Sequence, residues 1–221
     1  MSDDDDKHNT TPHIWVSSTY FAEGFPYAIV HQVAEVLFKE MGASLQAIGL
    51  TALFHLPWNL KFLWGPFLDA YGTKRKWLIG TEIVLCIALV CLAFSTTMPA
   101  VIAFSSVVFF MIAFTAATHD IAIDGYYLES LDSDQQSQFV GYRATAYKLA
   151  MLIVSGPLLM SIAFVGWFMG LLVLAVVMGL ILTTHLLLLP ETEEEKRPLT
   201  LLFQDLLGMR VLLGCVGLAL S

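Results

Sequence analysis

Apolar and polar positions alternate along the chain as long greasy runs divided by short polar breaks. Six runs, at about 14–38, 46–68, 77–96, 99–128, 139–164 and 167–189, each reach the roughly 20 mostly apolar residues that a helix needs to cross a bilayer. The breaks are a basic loop from Tyr71 to Lys76, the step Thr96-Thr97-Met98 before Pro99, a polar stretch from Asp132 to Gln138, and Gly166. The pattern predicts an all-α membrane protein whose residues 14–190 form a six-helix transmembrane bundle. Residues 1–13 read as a polar tail. Residues 191–221 read as a charged cytoplasmic linker and the start of a seventh helix.

Composition narrows the class. Of 221 residues, 57% are hydrophobic and 14% charged, and the mean hydropathy is +0.72. Soluble domains run about 45–50% apolar and about 25% charged, so a soluble domain or a disordered chain is excluded. Lys and Arg number 11 against 19 Asp and Glu, a net charge of −8, which argues against nucleic acid as a partner. Many of the acids, Asp3 to Asp6 and Glu191, Glu193, Glu194 and Glu195, sit outside the apolar runs as solvated charge. Cys86, Cys91 and Cys215 lie inside apolar runs and read as small buried hydrophobes, not as a disulfide framework or metal ligands. No cofactor and no metal is expected. No Ser-His-Asp spacing, metal cluster or phosphate loop points to an enzyme, and His119 beside Asp120 reads as a buffered pair.

Basic residues set the orientation. With the N-terminus inside, Lys7, Lys74, Arg75, Lys76, Arg143, Lys196 and Arg197 all fall on the inner side and only Lys39 on the outer. A cytoplasmic N-terminus follows.

Charge left within the spans carries the functional signal. An ionisable side chain at the bilayer centre costs about 2.5–3.5 kcal/mol on insertion scales, so each asks for a reason. Glu23 lies near mid-depth of the first run, in Tyr20-Phe21-Ala22-Glu23-Gly24-Phe25-Pro26-Tyr27, where Gly24 and Pro26 weaken the helix. It is a proton carrier, a substrate contact, or a Glu tied to a neighbouring Lys. Asp120 and Asp124 are four residues apart and share a helix face, where like charges disfavour double ionisation. They are either proton-handling groups or interface carboxylates held by Arg143 or Lys61. Lys61 snorkels to the interface or serves the site. Arg143 is a positive-inside anchor or a counter-charge, and Lys148, deeper in the fifth run, is the stronger outlier. Glu82 and His185 read as interfacial. The buried charge therefore concentrates on the first, second, fourth and fifth runs, with the third and sixth as scaffold.

The loop Gly65-Pro66-Phe67-Leu68-Asp69-Ala70-Tyr71-Gly72-Thr73-Lys74-Arg75-Lys76 resembles the signature loop between the second and third spans of the major facilitator superfamily. Gly65, Asp69 and Gly72 match; Lys74 and Arg75 belong to a basic cluster one residue late, with Thr73 where a base is usual. Gly65 is expected to permit close helix approach, Gly72 a tight turn, and Asp69 a pairing with bases or a helix N-terminus. The stretch Tyr20 to Tyr27, Lys61-Phe62-Leu63-Trp64-Gly65-Pro66 and Asp120-Ile121-Ala122-Ile123-Asp124-Gly125-Tyr126 are similar to AmpG-type muropeptide permeases, a branch that includes acetyl-coenzyme A transporters.

The resemblance implies the N-terminal half of a transporter, built as two inverted three-helix repeats, with the first and fourth helices lining the cavity. It implies proton-coupled import of anhydromuropeptides across a bacterial inner membrane. Glu23, Asp120 and Asp124 would then handle protons, while Lys61, Arg143 and Lys148 would counter them or meet an anionic substrate. The expected partners are membrane lipid, a small-molecule substrate, protons, and a second six-helix half or another copy. Ending at Ser221, the chain reads as a truncated product, a fragment, or an assembling half. Transport of acetyl-coenzyme A or another anionic metabolite, and a truncated non-transporting membrane protein, are the alternatives.

Overall fold

The computed structural model describes residues 12–191. The expected tail over 1–11, the linker and seventh helix over 192–221, and with them Lys7, Lys196, Arg197 and Cys215, lie outside the described residues. No strand occurs among the described residues.

The first helical stretch is α1 (Pro12–Ala28), a π turn (Ile29–Val33) and α2 (Ala34–Glu40). Pro26 cannot donate to the helical ladder, and the adjacent π turn absorbs the disturbance. Next come short pieces: α3 (Leu45–Gly49), a 3-10 turn (Leu50–His55), α4 (Leu56–Leu60), a 3-10 turn (Lys61–Leu63) and α5 (Gly65–Ala70). Pro57 and Pro66, each early in its helix, start new pieces and do not continue old ones.

Longer helices follow. The α6 helix (Lys74–Ser95) starts at Thr73, whose hydroxyl accepts from the Lys76 amide at 3.2 Å. The α7 helix (Val101–Ser130) has 30 residues, about 45 Å at 1.5 Å per residue. At α8 (Ser133–Ile153), Asp132 and Gln135 form a capping box. A π turn holding Pro157 (Val154–Leu158) joins α8 to α9 (Leu159–Val165). Gly166, at φ +83°, turns the chain into α10 (Trp167–Leu188).

Four of these are long and apolar enough to cross a membrane: Lys74–Ser95, Val101–Ser130, Ser133–Val165 and Trp167–Leu188. They match the third to sixth expected runs to within a few residues, except that the fifth begins six residues early, because Asp132 caps it there. The first two expected runs coincide with the π-interrupted and the fragmented stretches, which fall outside that group.

Helix α1 packs along α8 and touches α7 and α10; α6 lies between α7 and α10. Gly24 makes the α1–α8 contact possible. A Cβ there would stand 2.5 Å from the Tyr147 carbonyl oxygen, so no side chain fits without moving backbone. The break expected at Gly24 and Pro26 thus faces a helix.

Two apolar clusters fill the interior. One joins Phe25, Ile29, Leu37, Leu85, Leu89, Phe109, Ile112, Leu171 and Met178. The other joins Trp15, Val16, Tyr20, Leu78, Ile123, Tyr126, Tyr127 and Phe139. Along α6, α7 and α10 the buried polar residues Thr81, Glu82, Thr118, His119, Asp120 and His185 fall between the two sets, while Thr19 lies within the second and Lys74, Ser95 and Ser105 lie nearer the helix ends. A polar layer therefore crosses the bundle.

One expectation about glycine changes. A Cβ on Gly65 would meet nothing within 4 Å among the described residues, so close helix approach is not its role. Gly166 makes the turn before α10, and Gly170 receives Ile162 of the neighbouring α9.

Candidate functional site

Three carboxylates converge from two helices. Glu23 of α1 and Asp120 and Asp124 of α7 place oxygens within 4.8 Å of one another. Helical spacing puts both aspartates on the face that α1 covers, one turn apart. Two cations reach in from other elements. Lys61, on the 3-10 turn before α5, donates from Nζ to Asp120 Oδ2 at 2.5 Å. Arg143 of α8 donates from Nη2 to Asp124 Oδ1 at 2.9 Å, and the same oxygen accepts from the Tyr20 hydroxyl at 2.8 Å. The three acids are spaced as cation ligands would be, but the Lys and Arg side chains already supply the positive charge.

Arg143 is held as well as paired. Its guanidinium carbon lies 4.3 Å from the Tyr20 ring centroid and 4.4 Å from that of Tyr127, in the notch between two rings that meet at 86°. The Tyr127 hydroxyl is anchored on the Gln136 carbonyl at 2.5 Å. Beside Asp120, the Thr118 hydroxyl accepts from Trp64 Nε1 at 3.1 Å. Glu23 differs from both aspartates: its Oε2 is buried without a hydrogen-bond partner.

The site is open on one side. Asp120 is 8% exposed at its side chain, but Lys61, Arg143 and Asp124 are 35%, 32% and 42% exposed. The cations therefore keep free donor faces for an incoming anion. Lys148 is not part of the constellation. It is exposed on α8 and forms no ion pair among the described residues, because the inward face of α8 at that level is taken by Ala146, Tyr147 and Ala150.

The basic loop lies at one end of the bundle. Lys74 is buried and paired with Asp69. Gly72, at φ +75°, makes the tight turn between them. The Lys74 stem lies across Gly125 of α7, where a Cβ would come within 2.6 Å of its Cε. Arg75 Nε donates to the Leu189 carbonyl at 3.0 Å, tying the loop to the end of α10.

The sequence reading of Glu82 and His185 as interfacial is corrected. Both are 0% exposed, with His185 Nδ1 2.5 Å from Glu82 Oε1 and His119 Nε2 3.3 Å from the same oxygen. Helices α6 and α10 are therefore not plain scaffold. The available signal was reach: a glutamate side chain two turns inside a greasy run is too short to snorkel. Tyr20 and Tyr127 were also missed. Only the folded geometry shows that they bracket Arg143.

Comparison with known proteins agrees with this architecture. The family model of the Major Facilitator Superfamily matches residues 16–221, and the chain belongs to that family. It is a multi-pass membrane protein in a lipid environment. A Haemophilus influenzae protein of uncharacterised role is 30% identical over 154 residues, covering 67% of this chain and 36% of the relative. The anhydromuropeptide permease of Escherichia coli K12 is 30% identical over 157 residues, covering 66% of this chain and 31% of the permease. A Rickettsia prowazekii protein carrying the name AmpG 3 is 29% identical over 156 residues, covering 65% and 36%. The matched region spans about a third of the length of these curated relatives.

Proposed function

We propose that the chain forms the N-terminal six-span half of a proton-coupled importer of anhydromuropeptides, seated in a bacterial inner membrane with its N-terminus in the cytoplasm. The observation that carries this is the charge count of the site. Among the described residues Glu23, Asp120 and Asp124 face two cations, Lys61 and Arg143, so one carboxyl is left without a cation. Glu23, which has no ion pair, takes the proton that balances the cluster.

The same arrangement supplies a coupling route. An anionic substrate that engages the open faces of Lys61 or Arg143 draws them from Asp120 or Asp124. The carboxylates then carry excess negative charge, and proton uptake at Glu23 offsets it. Loss of that proton on the inner side weakens substrate binding in turn, since linkage is reciprocal. Alternating access would rock this half against a second six-helix half around the site. The basic loop, tied to α7 and α10, is placed to close the inner mouth. The permease relative supports the choice of anhydromuropeptide over acetyl-coenzyme A.

The test is binding in nanodiscs, with the chain alone and co-expressed with a second six-helix half. Saturable binding of radiolabelled anhydromuropeptide, not displaced by equimolar acetyl-coenzyme A, is expected in the paired sample. Displacement by acetyl-coenzyme A, or no binding in either sample, would overturn the assignment of substrate.

A further inference from the structure

A second group of ionisable side chains lies in the same polar layer, on the α6 and α10 side of α7. Glu82 of α6, His119 of α7 and His185 of α10 are each 0% exposed, and Ser18 of α1 completes the group. Four helices thus meet at one polar junction, buried at Glu82, His119 and His185 and half-buried at Ser18. The acidic site takes no hydrogen bond from it, although His119 and Asp120 are neighbours in sequence. They leave α7 about 100° apart, so one helix carries the two clusters on different faces.

We propose that this junction is a second proton-binding site, in which His185 holds one exchangeable proton as an imidazolium paired with the Glu82 carboxylate. The partners of each ring nitrogen decide the placement. His185 has oxygens on both sides: Glu82 Oε1 2.5 Å from Nδ1 and Ser18 Oγ 3.1 Å from Nε2. The Ser18 hydroxyl has its own acceptor, the Trp15 carbonyl at 3.1 Å, so its oxygen is free to accept from His185. Both His185 nitrogens therefore face an oxygen able to accept, the arrangement that suits the charged ring, which alone donates from both. His119 has one partner, Glu82 Oε1 at 3.3 Å, and its Nδ1 is buried without any. A charged His119 would bury an unsatisfied N–H, so this ring stays neutral and donates from Nε2.

The charge count agrees. With both rings neutral, Glu82 would be an unpaired carboxylate at a junction closed to water. One proton makes the group neutral overall. The other ionisable groups beside it are Cys86, half-buried on α6 near Glu82, and Asp120 on α7, already paired with Lys61. Neither supplies a cation to Glu82. The carboxylate's second oxygen is buried and unpartnered. When the proton leaves, it departs from His185 Nδ1 or Nε2 and the ring becomes neutral. The ion pair joining α10 to α6 is then lost. The site stands whether or not the chain transports anything.

Nitrogen-15 NMR of histidine-labelled chain in nanodiscs at neutral pH tests this directly, with His119→Gln and His185→Gln used to assign the two buried rings. His185 is expected to show both nitrogens protonated and His119 only one. In Glu82→Gln, His185 is expected to lose one proton; in Ser18→Ala, the Nε2 resonance is expected to shift while Nδ1 stays protonated. A singly protonated His185 in the wild-type chain overturns the proposal even if the variants misfold. A doubly protonated His185 that persists in folded Glu82→Gln overturns it too, because the carboxylate would not be its counter-ion.

Discussion

Lys61 and Asp120, 59 residues apart in sequence, meet at 2.5 Å between Nζ and Oδ2, and so pin the fragmented second stretch to α7. Breaking a buried pair from one side costs about 3–5 kcal/mol, because the remaining charge is stranded. Lys61 is about one third exposed, and solvent screening reduces that figure. Lys61→Met is therefore expected to destabilise by about 1–3 kcal/mol, read as a lower midpoint in detergent thermal melts. Lys61→Met with Asp120→Asn is expected to recover most of the loss. A double variant as unstable as the sum of its parts would show that the pair is not coupled.

The α1–α8 contact is set by Gly24 against the Tyr147 carbonyl. Gly24→Ala puts a Cβ onto backbone that cannot swing aside, and overpacking of this kind costs about 1–3 kcal/mol. Gly80→Ala in α6 is the control, since nothing lies within 4 Å of its Cβ. It is expected to be neutral or to stabilise by up to about 1 kcal/mol through helix propensity. Equal melting temperatures for the two variants would contradict the close approach.

Arg143 carries two loads, an ion pair with Asp124 and a place between two tyrosine rings. Arg143→Lys keeps the charge but loses the guanidinium's contact with both rings, worth about 0.5–2 kcal/mol. Substrate binding is expected to weaken about 3- to 30-fold, measured in nanodiscs. Unchanged affinity would mean that charge alone matters at this position.

In the basic loop, Asp69→Asn removes the charge partner of Lys74 without removing its hydrogen-bonding shape. The pair is half-exposed on the Asp69 side, so global stability is expected to change by less than about 1 kcal/mol. Trypsin cleavage after Arg75 or Lys76 is expected to accelerate as the loop loosens. A cleavage rate equal to wild type would argue that the remaining Lys74 contacts hold the loop.

The spans were legible where sequence pattern and environment coincide. Runs of apolar residues long enough for a bilayer demand helix, and Gly166 marks a break that the structure keeps, whereas Asp132 and Thr73 cap helices that begin before the apolar runs do. The acids and bases of the site were legible because burying them is costly, so Glu23, Asp120, Asp124, Lys61 and Arg143 stand out against their surroundings. Partner choice was not legible. Lys148 looked deeper than Arg143, but the direction of a side chain around a helix depends on which neighbour covers it. Glu82 and His185 looked interfacial by depth, and only the packing of α6 beside α10 brings them together. Gly65 looked like a packing residue by motif, whereas Gly24 and Gly125 take that role.

The central claim is that Glu23 holds the proton linked to substrate. The most direct measurement is the number of protons taken up per anhydromuropeptide bound, from titration calorimetry in buffers of different ionisation enthalpy, with the chain paired to its second half. One proton is expected for the wild-type chain and none for Glu23→Gln, with binding itself retained. A Glu23→Gln variant that still takes up one proton per ligand would contradict the account.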